Sequence, residues 1–239
     1  GWGYCAICDS PPLKGEGDDG AGAPLRNHHG SRHGGGHSDD ACENIMTSLK
    51  DLKKHLRLEA LGRRDALDPA WRIEASLAMA SHAPAVDLGH GPVVSGFLPI
   101  RSEADLRPLM AALADRGARL SLPVVLDRET IVFRELVRGA EMVSTGFGTA
   151  GPGPEAAVLD PDIMLVPLAA FDRRGHRLGY GAGHYDRAIA RLHDKGRNPR
   201  LIGVAFDCQE VERVPDEPHD VMLSAILTEN GLRSFTSAG

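Results

Sequence analysis

The sequence predicts an α/β fold, a mostly parallel sheet flanked by helices in a single three-layer domain. Three observations carry this reading. Short apolar runs such as Ile163–Leu168 and Leu201–Phe206 have the length and composition of buried strands. Segments of helical periodicity alternate with them, the pattern of strand–helix–strand units. The chain has 239 residues, 42% of them hydrophobic, which suffices for one sizeable core but not for several domains.

In chain order, Thr47 or Ser48 can cap a first helix that places Leu49, Leu52, Leu56 and Ala60 on one face. Lys53 and Arg57, four residues apart, share another face. Asp68-Pro69 starts a second helix, with proline at its first position. Val93–Leu98 reads as a strand, and Ala104–Arg116 as a helix ended by Gly117. Arg119–Val125 and Thr130–Leu136 are strand-like, and the Gly- and Pro-rich stretch Gly146–Pro154 reads as a loop. Ile163–Leu168 follows as a strand, then a helix over His184–Lys195 closed by Gly196, then strands at Leu201–Phe206 and Val221–Leu227.

Residues 1–45 differ in kind. They are rich in glycine, carry clustered histidines (His28, His29, His33, His37) and lack apolar periodicity, so they are expected to be disordered. Met46 stands just before the first helical pattern, and the functional domain is expected to cover 46–239. Cys5-x-x-Cys8 and His33-x-x-x-His37 invite a zinc reading, but the two pairs are too far apart for a finger, and a polar tail is the plainer account. The net charge of −6, with no basic run, points away from nucleic acid and anionic membranes. No apolar stretch is long enough to span a bilayer. Four unevenly placed cysteines suggest a reducing, cytoplasmic setting, and the absence of a coiled-coil pattern a monomer.

The segment richest in chemical implication is Arg177-Leu-Gly-Tyr-Gly-Ala-Gly-His-Tyr-Asp186. Gly179, Gly181 and Gly183 alternate between a strand and a helix start, letting backbone N–H groups approach an anion while the helix adds its positive end. Arg177 can add a charge-assisted contact. By spacing this is neither the P-loop nor the dinucleotide fingerprint. Taken alone, it is either a tight structural turn or a phosphate cradle.

The longer run from Pro161 to Arg187 resembles the signature of the 5-formyltetrahydrofolate cyclo-ligase family, also called methenyltetrahydrofolate synthetase. Lys53-Lys-His-Leu-Arg57 is similar to that family's basic first helix, and Val214-Pro-Asp-Glu-Pro-His-Asp220 with Ile226-Leu-Thr-Glu229 to its closing motif. The resemblance implies a ligase of one-carbon metabolism that closes the ring of 5-formyltetrahydrofolate to 5,10-methenyltetrahydrofolate, with ATP becoming ADP and phosphate. It implies that Lys53 and Arg57 contact ATP phosphates and that Arg177, Leu178, Gly179, Tyr180, Gly181, Ala182, Gly183, His184 and Tyr185 form the nucleotide loop. Arg177 and Asp186 would serve catalysis, and Asp186 and Asp220 would hold Mg²⁺. Tyr180 and His184 would also line the folate side, where Ile100 would pack on the ligand and Asp105, with Glu103 as second candidate, would hydrogen-bond its ring system.

Three positions depart from the family's pattern. His184 replaces an aromatic residue, Leu136 stands where a tryptophan is common, and Phe147-Gly-Thr-Ala-Gly-Pro152 lacks the usual Glu-Pro. They leave two alternatives: a diverged paralogue using ATP on another heterocycle, and a non-catalytic nucleotide-binding regulator.

Overall fold

A computed structural model of the chain describes residues 48–89, 92–145, 149–217 and 220–235. The expectations for residues 1–45, for the start near Met46 and for Thr47 as a cap fall outside these residues. The first helix, α1 (Leu49–Asp65), is capped by Ser48, whose hydroxyl accepts the Asp51 N–H at 3.1 Å. Helix α2 (Pro69–Ser81) is capped by Asp68, which accepts from Ala70 and Trp71 at 2.9 and 3.0 Å, with Pro69 in the first turn as expected. The remaining elements are β1 (Val93–Ser95), α3 (Arg107–Asp115), β2 (Arg119–Val125), β3 (Ile131–Glu135), β4 (Met142–Ser144) and β5 (Ala150–Pro152). They continue with β6 (Ile163–Pro167), β7 (Ala170–Phe171), β8 (Arg177–Leu178), α4 (His184–Asp194), β9 (Arg200–Val204), β10 (Ala225–Thr228) and β11 (Gly231–Ser234).

Seven strands form the main sheet in the order β11-β10-β9-β6-β1-β2-β3. The five inner strands are parallel, and β3 and β11 close the edges antiparallel. Both faces are covered, which is why the inner strands read as continuous apolar runs. Leu165, Ile202 and Leu227 pack on one face with Met79 of α2 and Leu109 and Leu113 of α3. Met164, Val166, Leu201 and Ile226 pack on the other with Ala188, Ile189 and Leu192 of α4. The expected three-layer α/β arrangement is therefore present. Helix α1 lies apart from both faces and seats Ala60 and Leu56 against Ala170, Leu178 and Val214.

Local differences from the sequence reading have local causes. Strand β1 stops at Ser95, short of the expected Leu98; position 96 must be glycine, since a Cβ there would stand 2.1 Å from Met110 Sδ. Helix α3 begins at Arg107, where Pro108 fits the first turn, so Ala104–Leu106 lies outside it. The stretch expected as a loop contains β5, which pairs with β4 as an antiparallel ribbon. Its glycine is required by packing: a Cβ at Gly151 would lie 2.7 Å from Val124. Strand β11, unassigned from sequence, follows the Asn230-Gly231 turn, with Gly231 at φ 129°. Among the described residues no helix is long and apolar enough to cross a membrane.

The chain leaves β1 through α3 toward β2 on one side of the sheet's middle, and leaves β6 through α4 toward β9 on the other. Connections diverging from neighbouring strands open a crevice at their carboxyl ends. A cavity of about 500 Å³ lies there, lined by Phe97–Ile100 after β1, Val166 and Pro167 of β6, and Leu122, Pro123 and Val125 of β2.

Candidate active site

The glycine-rich segment forms the link from β8 to α4 and walls one side of this cavity. Gly181 (φ 99°) and Gly183 (φ 68°) hold left-handed conformations that residues with a Cβ avoid. At Gly183 a Cβ would also stand 2.7 Å from Arg187 Nη1. The Arg187 guanidinium anchors the loop, donating to the carbonyls of Ala182 (2.8 Å), Arg128 (3.1 Å) and Glu129 (2.9 Å). Gly183 is the residue before α4, so the helix's first N–H groups open beside the loop, a disposition suited to an anion. Leu178 is 4% exposed, its side chain packed with α1.

The basic residues singled out from sequence converge here. Arg57 Nε donates to the Gly179 carbonyl at 2.8 Å, tying α1 to the loop. One turn earlier, Lys53 Nζ donates to Glu217 at 2.8 Å and stands 3.7 Å from Asp220. Arg177 donates to the Val221 carbonyl and to the Asp186 carboxylate. Lys53, Arg57, Arg177, Asp186 and Asp220, drawn from three distant parts of the chain, thus line one cavity. Each of the two aspartates faces one of the cations.

Among the described residues no group of three or more His, Cys, Asp and Glu side chains could hold a metal by itself. Asp186 and Asp220 nevertheless suit Mg²⁺, which keeps most of its water and needs only one or two carboxylates beside substrate phosphates.

The other half of the cavity is apolar, with Ile100 (42% exposed) and Ile131 among its walls. Of the two acids weighed for the substrate side, Glu103 lines the cavity and Asp105 does not. The Asp105 carboxylate is gripped by Arg107 at 2.6–3.0 Å. Burial raises its pKa, but the Arg107 bonds outweigh this and hold it below the usual carboxylate value. At Glu103 burial wins: it pushes the carboxyl up against the opposing pull of the Tyr180 hydroxyl, the Ile100 N–H at 2.9 Å and the Arg64 charge.

Two phenols flank Glu103. Tyr180 stands at the mouth, its pKa raised by burial and by the Glu103 charge. Tyr185 lines the cavity, but its hydroxyl is fully shielded and has no hydrogen-bond partner among the described residues. Burial, then the Glu103 charge, raises its pKa as well. His184 also lines the cavity, with Nε2 at 2.9 Å from the Arg128 carbonyl. Since a carbonyl only accepts, Nε2 carries the proton in that bond. Leu136, despite the tryptophan expected at its place, packs against the core and does not line the cavity.

Sequence reasoning missed four contributors. Glu217 holds Lys53 and hid in the closing segment as one more loop acid. Asp172 and Arg174 tie the β7–β8 hairpin to Val214 and Asp216, positioning the segment that leads to Asp220. Arg64, 3% exposed, donates to both Ser102 and Tyr180; its helical register with Arg57 was the available signal.

Comparison with known proteins places this architecture in one lineage. The 5-formyltetrahydrofolate cyclo-ligase family matches residues 49–229. A Mycolicibacterium smegmatis 5-formyltetrahydrofolate cyclo-ligase is 32% identical over 74% of this chain and 93% of its own length. The Escherichia coli K12 protein of the same name is 33% identical over 70% of this chain and 94% of its own. The solved structure of Aquifex aeolicus 5,10-methenyltetrahydrofolate synthetase aligns with a TM-score of 0.67 at 29% identity, over 79% of this chain and 95% of that one. The match begins at the first residue of α1 and ends just past β10, so it takes in Lys53 on one side, Asp220 on the other and the glycine loop between. With every element of the cavity inside that span, the chain is an enzyme, a ligase, and belongs to the 5-formyltetrahydrofolate cyclo-ligase family.

Proposed function

We propose that the protein converts 5-formyltetrahydrofolate to 5,10-methenyltetrahydrofolate with Mg²⁺-ATP, releasing ADP and phosphate. The observation that carries this reading is the division of a single cavity. One half presents Lys53, Arg57, Arg177 and the Gly179–Gly183 backbone, suited to a polyphosphate; the other presents an apolar wall with one buried acid, suited to a flat heterocycle.

The formyl oxygen, a weak amide-like nucleophile, attacks the γ-phosphorus as the bond to ADP breaks. Phosphorylation makes the formyl carbon electrophilic, N10 closes the ring on it and gives up its proton to solvent, and phosphate departs with the formyl oxygen. Such chemistry asks for alignment and charge neutralisation rather than a protein nucleophile. Lys53, Arg57 and Arg177 meet phosphate oxygens, each charge-assisted contact worth about 1.5–3 kcal/mol. Glu103 meets the polar edge of the heterocycle while Ile100 covers its face. Asp186 and Asp220 would hold Mg²⁺, which when bound neutralises charge on the phosphates.

Substrate labelled with ¹⁸O in the formyl group tests the route. The label is expected in released phosphate; its appearance in water alone would contradict phosphorylation of that oxygen. A second reading, ATP-driven ring closure on another heterocycle, draws on His184 at the shared edge of the two halves. ADP release only with a substrate other than the formyl folate would favour it.

A further inference from the structure

We propose that Arg64 is a positioning residue that joins the substrate loop to the nucleotide loop, holding Glu103 and Tyr180 in the arrangement that receives the heterocycle. This deepens the functional reading above and rests on it.

Arg63 and Arg64 are neighbours in the last turn of α1, where a cation complements the helix dipole from the surface. Arg63 behaves in that way, donating to the Cys208 carbonyl at 2.7 Å on the exposed side. Arg64 instead turns inward and is 3% exposed. Burying a guanidinium is costly unless each donor finds a partner. Its Nε donates to Ser102 Oγ at 2.9 Å and its Nη1 to the Tyr180 hydroxyl at 2.6 Å. Ser102, itself 6% exposed, donates its hydroxyl hydrogen bond to Asp65, so its hydroxyl is committed on both sides. The Arg64 Cζ also lies 5.7 Å from the Tyr180 ring centroid.

Ser102 precedes Glu103 in the loop after β1, while Tyr180 sits in the loop after β8. One side chain therefore spans two segments that the sheet does not otherwise join. Lys53, Arg57 and Arg64 follow one another at helical spacing on a single stripe of α1. The same helix thus serves the phosphate half with its first turns and the heterocycle half with its last.

Charge follows the geometry. The groups facing Glu103 are Arg64 from α1, Tyr180 from the glycine loop, Tyr185 from α4 and the Ile100 N–H of its own loop. Only Arg64 brings a positive charge, and it opposes the burial that drives Glu103 toward its neutral form. Without Arg64 the carboxyl titrates at higher pH. Heterocycle binding that needs the carboxylate is then lost at a higher pH as the solution is acidified.

The test uses the full chain as wild type, Arg64→Met, Arg64→Lys and Tyr180→Phe, titrated calorimetrically with 5-formyltetrahydrofolate across acid to neutral pH, and separately with Mg-ATP. Arg64→Met should weaken folate binding about tenfold or more and leave Mg-ATP within about threefold, the split expected when one charge-assisted network is lost from one half-site. Its acid limb should move up in pH; Arg64→Lys, which keeps the charge, should restore most of that shift. Tyr180→Phe should move the limb in the same direction with Arg64 intact, and it decides the matter if Arg64→Met does not fold. Equal losses for both ligands, or an acid limb unmoved in Arg64→Met or Tyr180→Phe, overturn the proposal. Wild type that binds no 5-formyltetrahydrofolate overturns the functional reading, and this inference with it.

Discussion

Replacing Asp172 with asparagine should cost the fold about 3 kcal/mol, the sum of three effects of roughly 1 kcal/mol each. The carboxylate is fully buried. One oxygen accepts the N–H groups of Arg174 (2.9 Å) and His176 (3.1 Å). The other accepts the Val214 N–H (2.9 Å) and the Arg174 guanidinium (3.1 and 2.8 Å). An asparagine whose carbonyl keeps the first pair turns its NH₂ toward the second set, donor against donor. The Val214 bond is lost at about 1 kcal/mol, and a buried amide is left unpaired at about the same cost. The ion pair to Arg174 adds about 1 kcal/mol more, discounted because that arginine is partly exposed.

The penalty should also depend on pH. Burial raises the Asp172 pKa, but the Val214 N–H and the Arg174 and His176 bonds outweigh it and hold the carboxyl below its ordinary 3.8. A depressed value contributes stability that is present above 3.8 and is lost as pH falls through the folded value. Urea unfolding followed by circular dichroism should therefore show the gap between wild type and variant at neutral pH and its closure only in strong acid. A gap below about 1 kcal/mol at neutral pH, or one that ignores pH, would refute the reasoning. Because Arg174 also holds Val214 and Asp216, the variant should bind Mg-ATP more weakly through its displaced Asp220 segment.

Further expectations follow from the same geometry. Tyr185→Phe removes a hydroxyl that has no hydrogen-bond partner among the described residues, so stability should stay within about 0.5 kcal/mol of wild type, read by urea unfolding. Lys53→Met should weaken Mg-ATP about tenfold to a hundredfold and leave folate binding nearly unchanged, separating the two halves of the cavity. ATP titrated with a chelator present should bind more weakly than Mg-ATP, since Arg177 and Lys53 then stay engaged with Asp186 and with Glu217 and Asp220. Glu103→Gln should stabilise the free protein at neutral pH and lose that advantage in acid. A carboxyl raised by burial contributes stability below its ordinary 4.5 that is lost as pH rises through the folded value.

The sheet was legible because its inner strands are buried on both faces and announce themselves as apolar runs, and because Ser48, Asp68 and Pro69 mark helix starts. What the sequence concealed depends on contacts between distant segments. Gly151 looks like a loop residue until Val124 is placed against it. Glu103 and Asp105 are chemically alike and two residues apart; which one enters the cavity is decided where the chain reverses at Arg101, at φ 57°, and where Arg107 captures Asp105. Lys53, Arg57 and the glycine segment could be grouped in advance because they lie on one helix face and in one short motif. Arg64 and Ser102 could not, since they join Glu103 and Tyr180 only after folding. The chain's departures from the family pattern fall out differently as well. His184 does stand at the cavity, while Leu136 is a core residue.

Both halves of the cavity are proposed to act on one pair of substrates. The most direct measurement incubates the full chain with 5-formyltetrahydrofolate and Mg-ATP, following the absorbance of the methenyl product and ADP release together. Both should rise in equal amounts, and Asp186→Asn should abolish both while the fold, read by circular dichroism, is kept. ATP binding without any methenyl product, or unchanged turnover in Asp186→Asn, would contradict that proposal.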